Sequence, residues 1–184
     1  MAPNKALGMM LGAIALTATV TPALAQPQSL LVAAETAPAT SVPEITSYTY
    51  ADLFSIAFPN GWSVNEQADV PQVTAVSDGA GDLPPMRTEV TWQDAPPKEV
   101  VGESLQAIQA SGHTVLRYDA TTIDGVTAVR LWLSDIPDEA MPNAFITYVG
   151  YPSATATITS YYGTTTTDLD PVLNAIHQSF ARSQ

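Results

Sequence analysis

The sequence has 184 residues and carries six Lys and Arg against 18 Asp and Glu, a formal net charge of −12 at pH 7. Such a surface repels phosphate backbones and anionic lipids, which argues against nucleic-acid binding and favours cationic, neutral or metal-bridged partners. The chain contains no cysteine, which excludes disulfides, thiol catalysis and thiolate metal sites.

Residues 1–25 have the three-part order of a secretory signal peptide. Lys5 is their only charged residue, an uncharged and mostly apolar run follows from Ala6 to Val20, and Ala23-Leu24-Ala25 is a small-x-small cleavage site. The apolar run is shorter than the roughly 20 residues needed to cross a bilayer. We expect cleavage after Ala25 and export to the periplasm, the thylakoid lumen or the medium. Loss of Lys5 then changes the net charge from −12 to −13.

The segment 26–46 is rich in Pro, Ala and Thr and has no hydrophobic period, which is typical of a flexible linker. The residue pattern changes after this segment. Short apolar segments with strand or helix periodicity fill residues 47–184, and no internal repeat divides them. The sequence therefore predicts one folded domain over 47–184.

Alternating apolar and polar residues, separated by turn residues, predict short β-strands in this domain. In the clearest strand Leu131 and Leu133 share one face, while Arg130 and Trp132 share the other. Pro59-Asn60-Gly61 predicts a tight turn, because Pro restricts φ and Asn-Gly tolerates positive φ. The predicted strands cover residues 48–50, 53–58, 62–64, 73–76, 87–92, 114–118, 126–133, 144–151 and 154–162.

Two helices are predicted between and after these strands. The first begins at Pro96-Pro97 and ends near Gly112, with Val101, Leu105 and Ile108 spaced as a core-facing stripe. The second has Asp170 as its N-cap and Pro171 in its first turn. Its core-facing stripe consists of Leu169, Leu173, Ile176 and Phe180. The order of strands, helix, strands and helix predicts an α+β fold in which helices flank an antiparallel β-sheet.

The two histidines are the candidates for dispersed catalytic chemistry. The sequence has no Gly-x-Ser-x-Gly nucleophile elbow. His113 lies where the first helix meets a strand, and His177 lies on the last helix. A triad would need one of them close in space to a nucleophile and a carboxylate, and a two-histidine zinc site would need both close to a carboxylate. We interpret both as ordinary surface or boundary residues and assign no catalytic residue.

Two acidic loops are the candidates for a bound cation. Asp78 and Asp82 flank a Gly-Ala-Gly turn, and Asp135, Asp138 and Glu139 lie in a second loop. Calcium takes six or more oxygen ligands, and neither loop has EF-hand spacing. Asp and Gly are also ordinary turn residues. We therefore assign no metal ligand and no cofactor.

Proline corners and aromatic residues are the candidates for a binding surface. Leu83-Pro84-Pro85-Met86 and Ala95-Pro96-Pro97 flank one predicted strand, and we interpret them as strand and helix boundaries. Thr164–Thr167 is interpreted as a polar loop. Aromatics on strands belong mostly to the core, although an exposed cluster would mark an interaction face. The aromatics considered are Trp62, Trp92, Trp132, Tyr148, Tyr151, Tyr161 and Tyr162.

The stretch FSIAFPNGWSV, Phe54–Val64, resembles the Mog1/PsbP-like superfamily, in which a strand ends in an aromatic-Pro-x-Gly-Trp turn. The strand pair with IDGVTAVRL, Ile123–Leu131, and a last hairpin strand leading to a helix that ends in Ser179-Phe180 extend the resemblance over about Tyr48–Phe180. The resemblance implies an α/β/α sandwich around an antiparallel sheet.

The same resemblance implies a non-enzymatic accessory protein. The superfamily includes lumenal subunits and assembly factors of photosystem II, small exported bacterial proteins, and a branch that binds a nuclear transport GTPase. The photosystem proteins carry basic docking residues, and this chain departs from them because only five cations follow Lys5. We expect an exported, monomeric interaction domain that assists a membrane or photosynthetic complex. The alternatives are an exported small-ligand or cation-binding protein, or a hydrolase with a dispersed site.

Overall fold

The computed structural model describes residues 43–67, 69–79, 83–138, 140–165 and 167–183. The expected signal peptide, 1–25, and all but the end of the expected linker, 26–46, lie outside these residues. In chain order the elements are β1 (Ile45–Tyr50), β2 (Phe54–Pro59), β3 (Ser63–Glu66), β4 (Gln72–Ser77), β5 (Met86–Gln93), α1 (Pro97–Ser111), β6 (Thr114–Ile123), β7 (Val126–Ser134), β8 (Asn143–Gly150), β9 (Thr155–Tyr162), α2 (Asp170–Gln178) and β10 (Ala181–Arg182).

Ten strands form two antiparallel sheets in the described chain. The large sheet has the order β3-β4-β5-β9-β8-β7-β6, and the small sheet has the order β1-β2-β10. The β6–β7 hairpin turns at Asp124 and Gly125, whose φ values of 50° and 72° are those of a type I′ turn. Asn, Asp and Gly tolerate this backbone, which explains why the chain reverses here.

The two faces of the large sheet are covered by different elements. Strand alternation directs Phe145 and Val149 of β8 toward α2 and the small sheet, which we call the α2 face. It directs Ile146 and Tyr148 toward α1, which we call the α1 face. The larger apolar core lies on the α2 face, where Phe54 of β2 and other side chains of the small sheet pack against the large one.

The predicted α+β class, an antiparallel sheet flanked by helices, is confirmed. The stripe predicted for the second helix is also correct: Leu169, Leu173, Ile176 and Phe180 are all buried. The sequence prediction did not include the separate small sheet, because nothing in a strand's own pattern specifies which strand it will pair with. It also placed Ile45 and Thr46 in the linker, whereas they pair with β2.

The stripe predicted for the first helix is wrong in part. Ile108 is buried, but Leu105 is 38% exposed and Val101 is only half-buried, while Val100 is buried instead. The helix is rotated so that Val100 and Ile108 contact the sheet. Pro97 begins α1 and Gly112 ends it in the left-handed conformation at φ 72°, as the sequence indicated.

The predicted N-cap of the second helix is also wrong. Asp170 is the first helical residue, and its carboxylate contacts Arg117 at 2.8 Å and the Trp132 indole Nε1 at 3.1 Å. The backbone N–H of Asp170 instead donates to the Asp168 carboxylate at 3.0 Å. The Asp170 side chain, which local sequence rules assign to the N-cap, therefore forms a tertiary ion pair with Arg117 instead.

Candidate functional site

An open cleft lies between α1 and the α1 face of the large sheet; we call it the α1 cleft. Its volume is about 530 Å³. The wall comes from α1, where Ser104, Ala107 and Ser111 line the cleft beside the buried Ile108. These side chains are too small to fill the space between helix and sheet, so the cleft stays open.

The floor of the α1 cleft is apolar at its centre and carries hydroxyl groups along β9. Leu133 and Ile146 contribute the apolar part. Thr157 and Thr159 contribute the hydroxyls, and the Tyr148 hydroxyl shares a hydrogen bond with Ser104 across the cleft. This combination of an apolar surface and a few convergent polar groups is typical of small-molecule sites.

One end of the α1 cleft contains residues that the sequence singled out. His113 and Asp138 both line it, and Asp135 lies three residues before Asp138 in the loop after β7. Hydrogen bonds from Thr114 and Ser134 lower the pKa of Asp135. Asp138 accepts backbone N–H bonds from Ala140 at 2.9 Å and Met141 at 3.2 Å, so this carboxylate holds the loop.

The second histidine lies elsewhere, and its interpretation as a surface or boundary residue is wrong. His177 is fully buried on the α2 face, whereas His113 is half-buried at the α1 cleft. The large sheet separates the two rings, so they form neither a joint zinc site nor a shared catalytic centre. The sequence did contain a signal for this burial, because His177 lies four residues after Leu173 and three before Phe180, on the face predicted to point to the core.

The His177 ring joins a buried row of hydroxyl groups. Its Nδ1 lies 2.7 Å from Thr147 Oγ1 and its Nε2 lies 2.9 Å from Ser160 Oγ, which lies 2.6 Å from Thr88 Oγ1. The three hydroxyls sit on the neighbouring strands β5, β9 and β8. Burial, and secondarily the charge of Arg130, lowers the pKa of His177 well below its usual range, so the ring is neutral.

A serine lies beside a histidine in this row, yet the arrangement has no access for a substrate. Thr88, Thr147, Ser160 and His177 are all buried. In the α1 cleft, which is open, the Ser104 hydroxyl bonds to Tyr148 rather than to an imidazole. The row of His177 and three hydroxyl groups is therefore a structural link between α2 and strands β5, β9 and β8.

The edge strand β6 forms the most exposed apolar surface of the described chain. Among the described residues six large apolar side chains are exposed, and three of the six belong to β6: Val115, Leu116 and Tyr118. Tyr118 is 76% exposed, more than any of the others. The opposite edge of the large sheet is β3, which has only four residues. The sequence predicted this strand only as far as Tyr118 and did not single out that residue.

The backbone of β6 has free hydrogen-bonding groups along its outer side. In a two-residue hairpin the pair that flanks the turn, here Ile123 and Val126, is hydrogen-bonded, and the pattern then alternates. The N–H and C=O groups of Tyr118, Ala120 and Thr122 therefore point away from β7. A bulge between Val115 and Arg117 ends this regular stretch.

The acidic loops do not come together as a metal site in the described chain. No group of three or more His, Asp or Glu side chains is placed to hold an ion among the residues described. Asp82 and Glu139, which completed the two candidate loops, lie outside these residues. Asp78, the other carboxylate of the first candidate loop, is exposed.

The proline corners and the aromatic candidates have structural roles. Pro96 is the N-cap of α1 and Pro97 its first residue, while Pro85 accepts a backbone hydrogen bond from Gly163. Thr164, Thr165 and Thr167 line a cavity beside the start of α2, and Thr166 lies outside the described residues. The aromatics are buried at Trp92, Trp132, Tyr148 and Tyr151 and half-buried at Trp62, Tyr161 and Tyr162.

All four arginines of the sequence lie over aromatic rings. Arg117 stacks on Trp132 at 3.6 Å, and Arg87 lies 4.6 Å from the Tyr161 ring. Arg130 lies 5.8 Å from the Phe145 ring and is buried, which lowers its pKa. Arg182 lies between Trp92 and Tyr151, at 5.5 and 5.4 Å. The guanidinium groups thus contact the protein itself.

Within the described part of the chain, none of the helices combines the length and apolarity required to span a membrane. The sequence matches no protein-family model and no curated protein.

Solved structures do share the fold. Cyanobacterial PsbP (CyanoP) from Synechocystis sp. PCC 6803 is 15% identical, with a TM-score of 0.53 over 79% of this chain and 96% of that one. A Pseudomonas aeruginosa protein of unknown function, described as a putative regulator, is 17% identical, with a TM-score of 0.48 over 74% of this chain and 95% of its own. The fold of this chain is PsbP-like, as the sequence motifs indicated.

Proposed function

We propose that this protein is an exported, non-enzymatic accessory domain that binds another protein of the same compartment through its edge strand β6. The observation that carries the proposal is the exposure of Val115, Leu116 and Tyr118 on one edge strand. Clustered exposed apolar residues on a soluble domain mark interaction sites. Export is supported by the signal-peptide pattern of residues 1–25.

The geometry of β6 favours a partner that adds a β-strand. Tyr118, Ala120 and Thr122 offer three N–H donors and three C=O acceptors on the outer side. Main-chain bonds of this kind provide affinity in strand addition, while neighbouring side chains provide specificity. Tyr118 is well placed for the second role, because its exposed ring stands on the α1 face beside the added strand.

Charge limits the kind of partner. The net charge is −12, and the arginines lie over aromatic rings of the same chain. A partner with an acidic docking surface would therefore find few cations on this protein to contact. We therefore expect a neutral or cationic partner. A membrane or photosynthetic complex is the partner class that the PsbP-like fold favours. An extrinsic subunit that relies on basic docking residues is a poor comparison for this chain.

The test uses a proline at the edge strand. Ala120→Pro removes an outward N–H that makes no bond to β7, and edge strands tolerate proline in such positions. Ala120→Val is the matched control, because it retains the N–H and favours a strand. A photo-crosslinking residue replaces Tyr118 in both variants and in the parent, all expressed in the native cells.

We expect one protein to be cross-linked in the parent and the Val variant and to be lost in the Pro variant. A cross-linker at Asn65, exposed on the opposite edge strand, should not capture it. Circular dichroism checks that each variant is folded. Equal capture by the Pro and Val variants contradicts strand addition, and failure of the cross-linker at residue 118 to capture any protein in the parent contradicts the use of this edge.

A further inference from the structure

We propose that the α1 cleft binds a small, electrically neutral amphiphile: an elongated molecule with an apolar body and a hydroxyl or amide group. This site is separate from the β6 edge, since no β6 residue lines the cleft. The two proposals can therefore fail independently.

The size and shape of the cleft support an elongated ligand. Its volume of about 530 Å³ lies within the range of about 300–1,000 Å³ typical of ligand pockets. A second cavity of about 350 Å³ continues along α1 toward Gln93, and the two share Ser104, Ala107, Tyr148 and Thr157. A ligand lying along the helix would contact both.

The apolar body has a defined surface to cover. Leu133 and Ile146 form the floor, and Ile108 stands beside them on α1. Each methylene that a ligand buries here contributes roughly 0.8 kcal/mol. Leu133, Ile146 and Ile108 are buried, so a ligand would contact only the parts of these side chains that border the cavity. Ala107, which also lines the cleft, is too small to occupy that space.

Neutral hydrogen-bonding groups are available for the polar end. The Thr157 and Thr159 hydroxyls both line the cleft, and each is donor and acceptor at once. Burial raises the pKa of Tyr148 and of Tyr161, so both phenols stay uncharged. An alcohol or amide can pair with such groups without leaving a buried charge.

Arg87 and Asp138, which line the cleft together with His113, are already engaged, and Glu103 borders the second cavity. The Arg87 side chain lies 3.0 Å from the Glu89 carboxylate and over the Tyr161 ring, so it is a poor receptor for an anion. Asp138 accepts two backbone N–H bonds from its own loop. A carboxylate or ammonium ligand would lose its hydration on entering the cleft and would gain no free group of opposite charge in return. Binding of either ion is therefore disfavoured.

The first experiment fills the cleft. Binding of the neutral fluorophore N-phenyl-1-naphthylamine to the folded protein is titrated by fluorescence. Ala107→Trp places a bulky ring in the cleft, and Ala110→Trp, on an exposed position of α1 outside it, is the matched control. We expect Ala107→Trp to raise the Kd at least about tenfold and Ala110→Trp to leave it unchanged within about twofold.

The proposal is overturned if the parent protein shows no saturable binding, or if Ala107→Trp binds the fluorophore as the parent does. Because strand addition concerns β6, the Ala107→Trp variant should still cross-link its protein partner at residue 118. Loss of both activities in a folded Ala107→Trp variant would contradict the separation of the two sites.

The second experiment tests neutrality at constant chain length. 1-Octanol, octanoate and octylammonium compete for the bound fluorophore. We expect 1-octanol to displace it at a concentration about tenfold lower than either ion. If octanoate or octylammonium competes as well as the alcohol, the assignment of a neutral ligand is wrong.

Discussion

The interior position of His177 depends on three hydroxyl groups, one on each of three adjacent strands. A neutral imidazole has one donor and one acceptor nitrogen, and Thr147 and Ser160 can satisfy both. Phe145 packs against the ring, with the centroids 4.4 Å apart. A second proton would place a charge in this apolar interior near Arg130, which explains why the pKa is lowered.

This burial makes stability depend on pH. The pKa of histidine is about 6.5 in the unfolded chain and lower in the folded one, so the unfolded state binds the proton first as pH falls. We expect His177 to lower the free energy of unfolding by on the order of 1 kcal/mol between pH 7.5 and pH 5.5. Above pH 7.5 this contribution is constant.

Urea denaturation at the two pH values, on the wild type and His177→Gln, measures the effect. The variant is expected to be less stable at both pH values, and its loss of stability on acidification should be smaller by on the order of 1 kcal/mol. His113→Gln, on the opposite face of the sheet, is the control for removing a histidine. Identical pH dependence in the wild type and His177→Gln would contradict a neutral buried ring.

At the scale of elements, α1 is attached to the sheet at few points. Val100 and Ile108 are its buried residues, and between them Ser104 and Ala107 face the α1 cleft. By contrast α2 buries Val172, Leu173, Ile176 and His177 within nine residues. Packing rather than helix propensity supplies most helix stability, so the longer helix is the more weakly held.

The rotation of α1 predicts which of two similar substitutions is costly. Ile108→Ala should lower the free energy of unfolding by about 2 kcal/mol, at the low end for a buried site because Ile108 borders an open cleft. Leu105→Ala should lower it by less than about 1 kcal/mol, since that side chain is exposed. Chemical denaturation measures both. Equal costs, or a larger one at Leu105, would support the stripe read from the sequence and contradict the observed orientation.

At the scale of the whole molecule, negative charge far exceeds positive charge. Two ion pairs, Arg87–Glu89 and Arg117–Asp170, are formed among the described residues, and most carboxylates of the sequence have no cation to pair with. A uniform negative field keeps copies of such a protein apart. It also directs binding toward apolar and backbone contacts, which is the mode proposed for β6.

The proposed export can be tested on the full chain. We expect the protein isolated from its cells to begin at Gln26, because Ala23-Leu24-Ala25 has small residues at the two required positions. Intact mass and N-terminal sequencing measure this. Ala25→Arg should block processing, whereas Ala33→Arg, in the expected linker, should not. A mature protein that begins at Met1 would contradict the signal peptide.

The sequence by itself determined the order of the first nine strands and the two helices, the faces of β7 and the buried stripe of α2, because these follow from local periodicity and turn residues. Only the tertiary structure decided what covers each face. A period-2 pattern shows that Leu131 and Trp132 point to opposite sides, but not that α1 leaves a cleft on one side. The hydrogen-bond partners of His177, the exposure of Tyr118 and the small sheet likewise depend on contacts between residues distant in sequence, for which a local pattern carries no signal.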